Sequence, residues 1–123
     1  MKLLRLAILV ISILTFVSGL VQMIQPGFVL DFVGGESTPV TRHFFGTIGM
    51  FMLILGGLMV QTIYEAQVSR AALHWGGLQK FGAAIAVGIG IIHGLMSPIA
   101  GLVASFDFVS GILFFIYLRG LKD

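Results

Sequence analysis

Asp107 is the residue whose chemistry most needs explaining. The twenty-six residues between Lys80 and Asp107 carry no charge, and only eleven uncharged residues separate Asp107 from Arg119. Placed about nine residues into an apolar helix, its carboxylate would lie roughly 14 Å deep at 1.5 Å per residue. Insertion of a carboxylate at the middle of a membrane helix costs about 2.5–3.5 kcal/mol, so such a group faces a bundle interior or an aqueous cavity and needs a partner. The other reading leaves Asp107 near the headgroups after an outer loop. Eleven apolar residues are then too few to cross the hydrocarbon, since a span needs about 20.

His93 is the expected partner. It lies thirteen residues from Lys80, and Asp107 lies twelve from Arg119. With those two cations taken as inner-interface anchors, the two heights agree to within about 2 Å. Counted instead from the Ser97-Pro98 turn, they differ by about 7 Å. A neutral His93 donating to Asp107, or an imidazolium paired with it, lowers the cost of burying the carboxylate.

Arg42 and His43 open the second apolar stretch at the outer interface. Arg42 has two readings there, a reach down to Asp107 or a lipid phosphate, and ordinary snorkelling of its long stem. His43, His93 and Asp107 supply three potential ligands without HxxxH or ExxH spacing. Bis-histidine haem needs two rings at one height, and a metal needs three or four convergent groups, so neither haem nor a metal is expected. No nucleophile-elbow, Walker, Rossmann or HExxH signature occurs, and no catalytic residue is expected. The absence of cysteine excludes disulfides, zinc thiolates and thiol catalysis.

The elements that position these residues follow from composition. The chain has 123 residues, 58% hydrophobic and 10% charged, with a mean hydropathy of +1.09. Soluble domains carry about 25% charged residues, so a water-facing globular enzyme is excluded. Seven Lys and Arg against five Asp and Glu are scattered singly, which gives no basic stripe for nucleic acid. The reading is an all-α polytopic membrane protein, an antiparallel bundle of four transmembrane helices. The spans are approximately 4–24, 42–64, 74–96 and 98–118, with Pro98 in the first turn of the fourth.

With the N-terminus inside, Lys2, Arg5, Arg70, Lys80, Arg119 and Lys122 fall on the inner side and Arg42 alone on the outer. The positive-inside rule then sets both termini in the cytoplasm, and a bacterial inner membrane is the expected location. Lys2 and Arg5 imitate the basic region of a signal peptide. The apolar run after them exceeds the usual 7–15 residues, so an uncleaved first span is expected.

Residues 26–33 place Phe28, Val29, Phe32 and Val33 on one face and end at Gly34-Gly35, which suggests a short interfacial helix on the outer surface. Val68, Ala72, Trp75 and Leu78 repeat at helical spacing and prolong the third helix below the membrane. In lipid, close van der Waals contact replaces hydrophobic drive between helices. Gly82, Ala86, Gly90 and Gly94 form a small-residue stripe and are the expected packing face of the third span. Gly49 and Gly56 serve the second, Ser12, Thr15 and Gly19 the first, and Gly101, Ala104 and Gly111 the fourth.

A first span closing before Pro26, an Arg-x-x-x-Gly opening to the second (Arg42 to Gly46) and four Gly-rich spans in about 120 residues resemble small DoxX-like four-helix membrane proteins. The resemblance covers the whole chain in layout. It implies a bundle and an accessory role, some members being small subunits of quinone-linked oxidoreductases. The expected function is therefore a non-catalytic accessory or assembly subunit, with membrane lipids and other subunits, or copies of itself, as partners. The alternatives are a binder or carrier of a quinone or lipid at Asp107 and His93, and a small redox subunit.

Overall fold

Apolar stretches too long for a strand, broken only at Gln25-Pro26, Glu36-Ser37, Glu65-Ala66 and Ser97-Pro98, fold as five helices. The computed structural model describes residues 1–121 and contains α1 (Lys2–Ile24), α2 (Pro26–Val33), α3 (Pro39–Tyr64), α4 (Arg70–Ile92) and α5 (Ala100–Gly120). All but α2 are long and apolar enough to cross a membrane, and among the described residues there is no strand. Lys122 falls outside the described residues.

The helix starts use local chemistry. Pro39 begins α3, where its missing N–H costs nothing. Thr38 and Thr41 form a reciprocal cap: Thr41 N donates to Thr38 Oγ1 at 3.1 Å and Thr38 N donates to Thr41 Oγ1 at 2.7 Å. The Ser69 hydroxyl accepts from Ala72 N at 3.1 Å and starts α4 at Arg70. The helix thus begins below His74, as the repeat of Val68, Ala72, Trp75 and Leu78 implies, but ends at Ile92 rather than at residue 96. Pro98 lies in a turn before α5, so that helix covers 100–120 rather than 98–118.

Two glycines end helices by the same device. Gly34 and Gly94 adopt φ of 73° and 72°, a conformation costly for other residues. The following N–H then reaches five residues back, from Gly35 to Leu30 O at 2.9 Å and from Leu95 to Gly90 O at 2.8 Å.

The long helices associate as two pairs. α1 lies along α3 with contacts in opposite order, from Arg5 and Ile63 at one end to Gln22 and Phe45 at the other. α4 lies along α5 in the same manner, from Arg70 and Leu121 to Ile91 and Gly101. The pairs meet in a core of Ile8, Ile11, Met59, Ile63, Leu73, Phe114 and Tyr117. Every member of that core lies toward the end of the molecule where α1 begins and α5 ends. At the opposite end α2 buries Leu30 and Val33, and its last carbonyl, Val33 O, accepts from Ser97 N at 2.8 Å. A Cβ on Gly34 would fall 2.5 Å from that of Ser97, so only glycine lets α2 dock on the α4–α5 turn.

Candidate functional site

Lys80 is buried to 4% exposure and Asp107 to 9%. Lys80 stands ten residues from the start of α4 and twelve from its end, and Asp107 seven residues into α5. Two ionisable groups therefore occupy the central part of apolar helices. The Lys80 ammonium lies 3.5 Å from Asp107 Oδ1 and donates to Thr15 Oγ1 at 2.5 Å. Thr15 in turn donates to Ile11 O at 2.8 Å, one turn back in α1, which leaves a hydroxyl lone pair free for Lys80. The ring of Phe106 lies 5.5 Å from the ammonium, within the range of a cation–π attraction.

One cation thus touches both helix pairs: Asp107 belongs to its own pair and Thr15 to the other. The surrounding polar groups are locally satisfied, Ser12 by Ile8 O at 2.7 Å and Ser110 by Phe106 O at 2.6 Å. The gap bordered by Ser12, Thr15, Leu55, Gly56, Met59, Lys80 and Phe114 is too small for a water molecule. In such a dry place an unpaired charge is costly, and each ion is retained because the other is present.

This arrangement corrects the expected Asp107–His93 pair. His93 ends α4 as its C-terminal cap, its N–H donating to Ile89 O at 3.0 Å, and its exposed side chain makes no hydrogen bond or ion pair among the described residues. Lys80 is the partner of Asp107, not an anchor at the inner interface. The error traces to the choice of Lys80 as the boundary cation: counted from Arg70, ten residues place Lys80 about 15 Å along the helix. Arg70 as a boundary cation, followed by a lone Lys and then a lone Asp in apolar sequence, was the available signal. Thr15 carried no such signal, since a threonine in an apolar helix is common.

The expected packing stripe of α4 is also corrected. Gly82 and Ala86 are exposed, and a Cβ on Gly82 or Gly94 would meet nothing within 4 Å. Gly94 lies beyond the helix, and Gly90 alone is buried, against Met96. The close contacts of α4 are made instead by Gly76 against Phe114 and Gly77 against Phe115.

Arg42 and His43 fall at the α2 end. Arg42 donates to Ser37 Oγ at 3.1 Å and its stem packs on Gly27, while His43 is exposed with its ring edge toward Phe44. Neither reaches Asp107. Among the described residues no three His, Asp or Glu side chains converge as a metal site. A groove of about 420 Å³ opens between α4 and α5, lined by Ala84, Ile85, Ala104, Ser105, Phe108 and Val109.

No protein-family model, curated protein or solved structure matches the chain.

Proposed function

We propose that this chain is a non-catalytic integral membrane protein that serves as an accessory or assembly subunit of a larger membrane complex. It spans the membrane four times as an antiparallel bundle, with both termini in the cytoplasm and α2 on the outer surface. Fusions of a periplasm-dependent reporter to either terminus are inactive in this topology, and active fusions contradict it.

The observation that carries the assembly reading is the outward face of α4. Gly82 and Ala86 present small residues to the surroundings, and the space over Gly82 and Gly88 is open. Small residues in a membrane helix gain most when another backbone approaches closely, and no helix of this chain does so there. The layout resemblance to DoxX-like small subunits points the same way. Native mass spectrometry of the gently solubilised protein tests it: a defined hetero-oligomer or homo-oligomer is expected, and Gly82→Leu dissociates it without unfolding the chain. A monomer under all mild detergents contradicts the reading.

A second reading is favoured by the shallow, mostly apolar groove between α4 and α5 with Ser105 on its lining. In this reading the chain binds or carries a hydrophobic molecule, a quinone or a lipid, with the exposed Ser105 as the polar contact. Co-purified lipid extracts enriched in one species, and depleted of it by Ala104→Phe, are the expected outcome.

A further inference from the structure

The hydrogen bonding around Asp107 is incomplete. Lys80 is the donor to Oδ1, and no donor reaches Oδ2 among the described residues. Oδ2 is not sealed away either: Gln79 Oε1 is the buried side-chain atom without a partner, and the Asp107 side chain is 13% exposed. The surface next to it on α5 is apolar, with Val103 and Phe106 each 38% exposed. An ionised carboxylate has capacity for several donors. In the four-span topology proposed above, the surroundings outside the chain at this level are hydrocarbon, which has none to offer.

The packing around this oxygen is uneven. The shared apolar core of the two helix pairs lies wholly on the terminus side of the Lys80–Asp107 level. On the α2 side, the buried apolar residues are Leu30, Val33 and Ala100, near the far end. The stretch between has no buried apolar cluster joining the pairs among the described residues.

We infer that the open oxygen of Asp107 is the polar subsite for a neutral, membrane-soluble molecule carrying a hydroxyl donor on an apolar tail. The hydroxyl donates to Oδ2, and the tail lies against Val103 and Phe106. Charge selects the class: Lys80 and Asp107 together are neutral, so a cationic ligand would leave an unbalanced charge in a low-dielectric site. Asp107 is not among the residues lining the α4–α5 groove, so this site is distinct from that groove and rests only on the four-span topology proposed above.

The test uses the full-length protein in nanodiscs with three probes: 1-decanol, decyl methyl ether and decane. The ether matches the alcohol in tail but cannot donate. Binding is followed by the rise in unfolding midpoint with probe concentration. The alcohol is expected to bind about tenfold more tightly than the ether, as a hydrogen bond to a charged group implies. The preference disappears in the Lys80→Met/Asp107→Leu double variant, which removes both charges together. Infrared difference spectra of the unmodified protein give a readout that needs no variant: the alcohol, and not the ether, shifts a carboxylate stretching band. Equal binding of alcohol and ether overturns the inference, as does a preference that survives the double variant. A carboxylate band that responds to deuterated water but not to the alcohol also overturns it, and assigns the open oxygen to water.

Discussion

The two helix pairs bring glycines together in different ways. Between α1 and α3, backbone meets backbone: a Cβ on Gly19 would fall 2.5 Å from Leu53 N, and one on Gly56 would fall 2.6 Å from Phe16 N. Between α4 and α5, glycine receives a ring: Gly111 faces Phe81 at 2.9 Å, and Gly76 faces Phe114 at 3.0 Å. A backbone within a helix cannot retreat without breaking its hydrogen-bond ladder, whereas a ring can rotate or slide. The first interface is therefore rigid by construction and the second adjustable. Phe81 also stacks on Phe115 with planes 6° apart, so the rings form a layer of their own rather than a backbone seam.

Lys80 joins these unlike halves, and its loss is the largest effect expected. Lys80→Met leaves Asp107 buried without its counter-charge, a loss of about 3–5 kcal/mol for breaking one side of a buried pair. Thermal or denaturant unfolding in a fixed detergent measures it. Gly49→Ala comes next. Its new methyl would lie 2.7 Å from Met23 N and 2.8 Å from Gly19 O, and a cost of about 3 kcal/mol, the upper part of the overpacking range, is expected. Gly111→Ala presses on the Phe81 ring, which shifts, and about 1 kcal/mol is expected. Equal losses at Gly49 and Gly111 would erase the distinction between the interfaces. Gly82→Ala, with open space around it, is expected to raise stability by up to about 1 kcal/mol through helix propensity. That gain belongs to the isolated monomer: a destabilised Gly82→Ala monomer would contradict the open face, whereas an intact monomer that associates more weakly is what the assembly reading expects.

Much of this fold is legible in the sequence because the bilayer demands it. Span lengths follow from hydrocarbon thickness, and Gly34 ends α2 in the left-handed conformation that its type and position suggest. The small residues Gly19, Gly49, Gly56 and Gly111 sit at close contacts, as their spacing implies. The stripe of Gly82, Ala86, Gly90 and Gly94 has the most regular spacing and the least packing within the chain. A small-residue stripe shows where another helix can approach; it carries no information on which helix does. Apolar residues are equally silent about direction, because lipid and core are both apolar and the inward face lacks the contrast seen in soluble helices.

The polar site was half legible. The burial of Asp107 within the bundle is read from the spacing to Arg119, while its partner depends on which cation marks the start of α4. With Arg70 rather than Lys80 as the boundary cation, Lys80 stands ten residues into the helix and His93 falls at its end. Helix starts in such sequences rest on single caps, here Ser69, rather than on a change in hydropathy.

The account rests on Lys80 and Asp107 acting as one pair. A double-mutant cycle of Lys80→Met and Asp107→Leu, read by unfolding in nanodiscs of fixed lipid composition, tests this most directly. Each single variant is expected to be much less stable than the double, with a coupling of at least about 1 kcal/mol, beyond the roughly 0.3–0.5 kcal/mol within which independent sites add. Single losses that simply sum in the double variant would show that the two charges do not depend on each other, and would contradict the account.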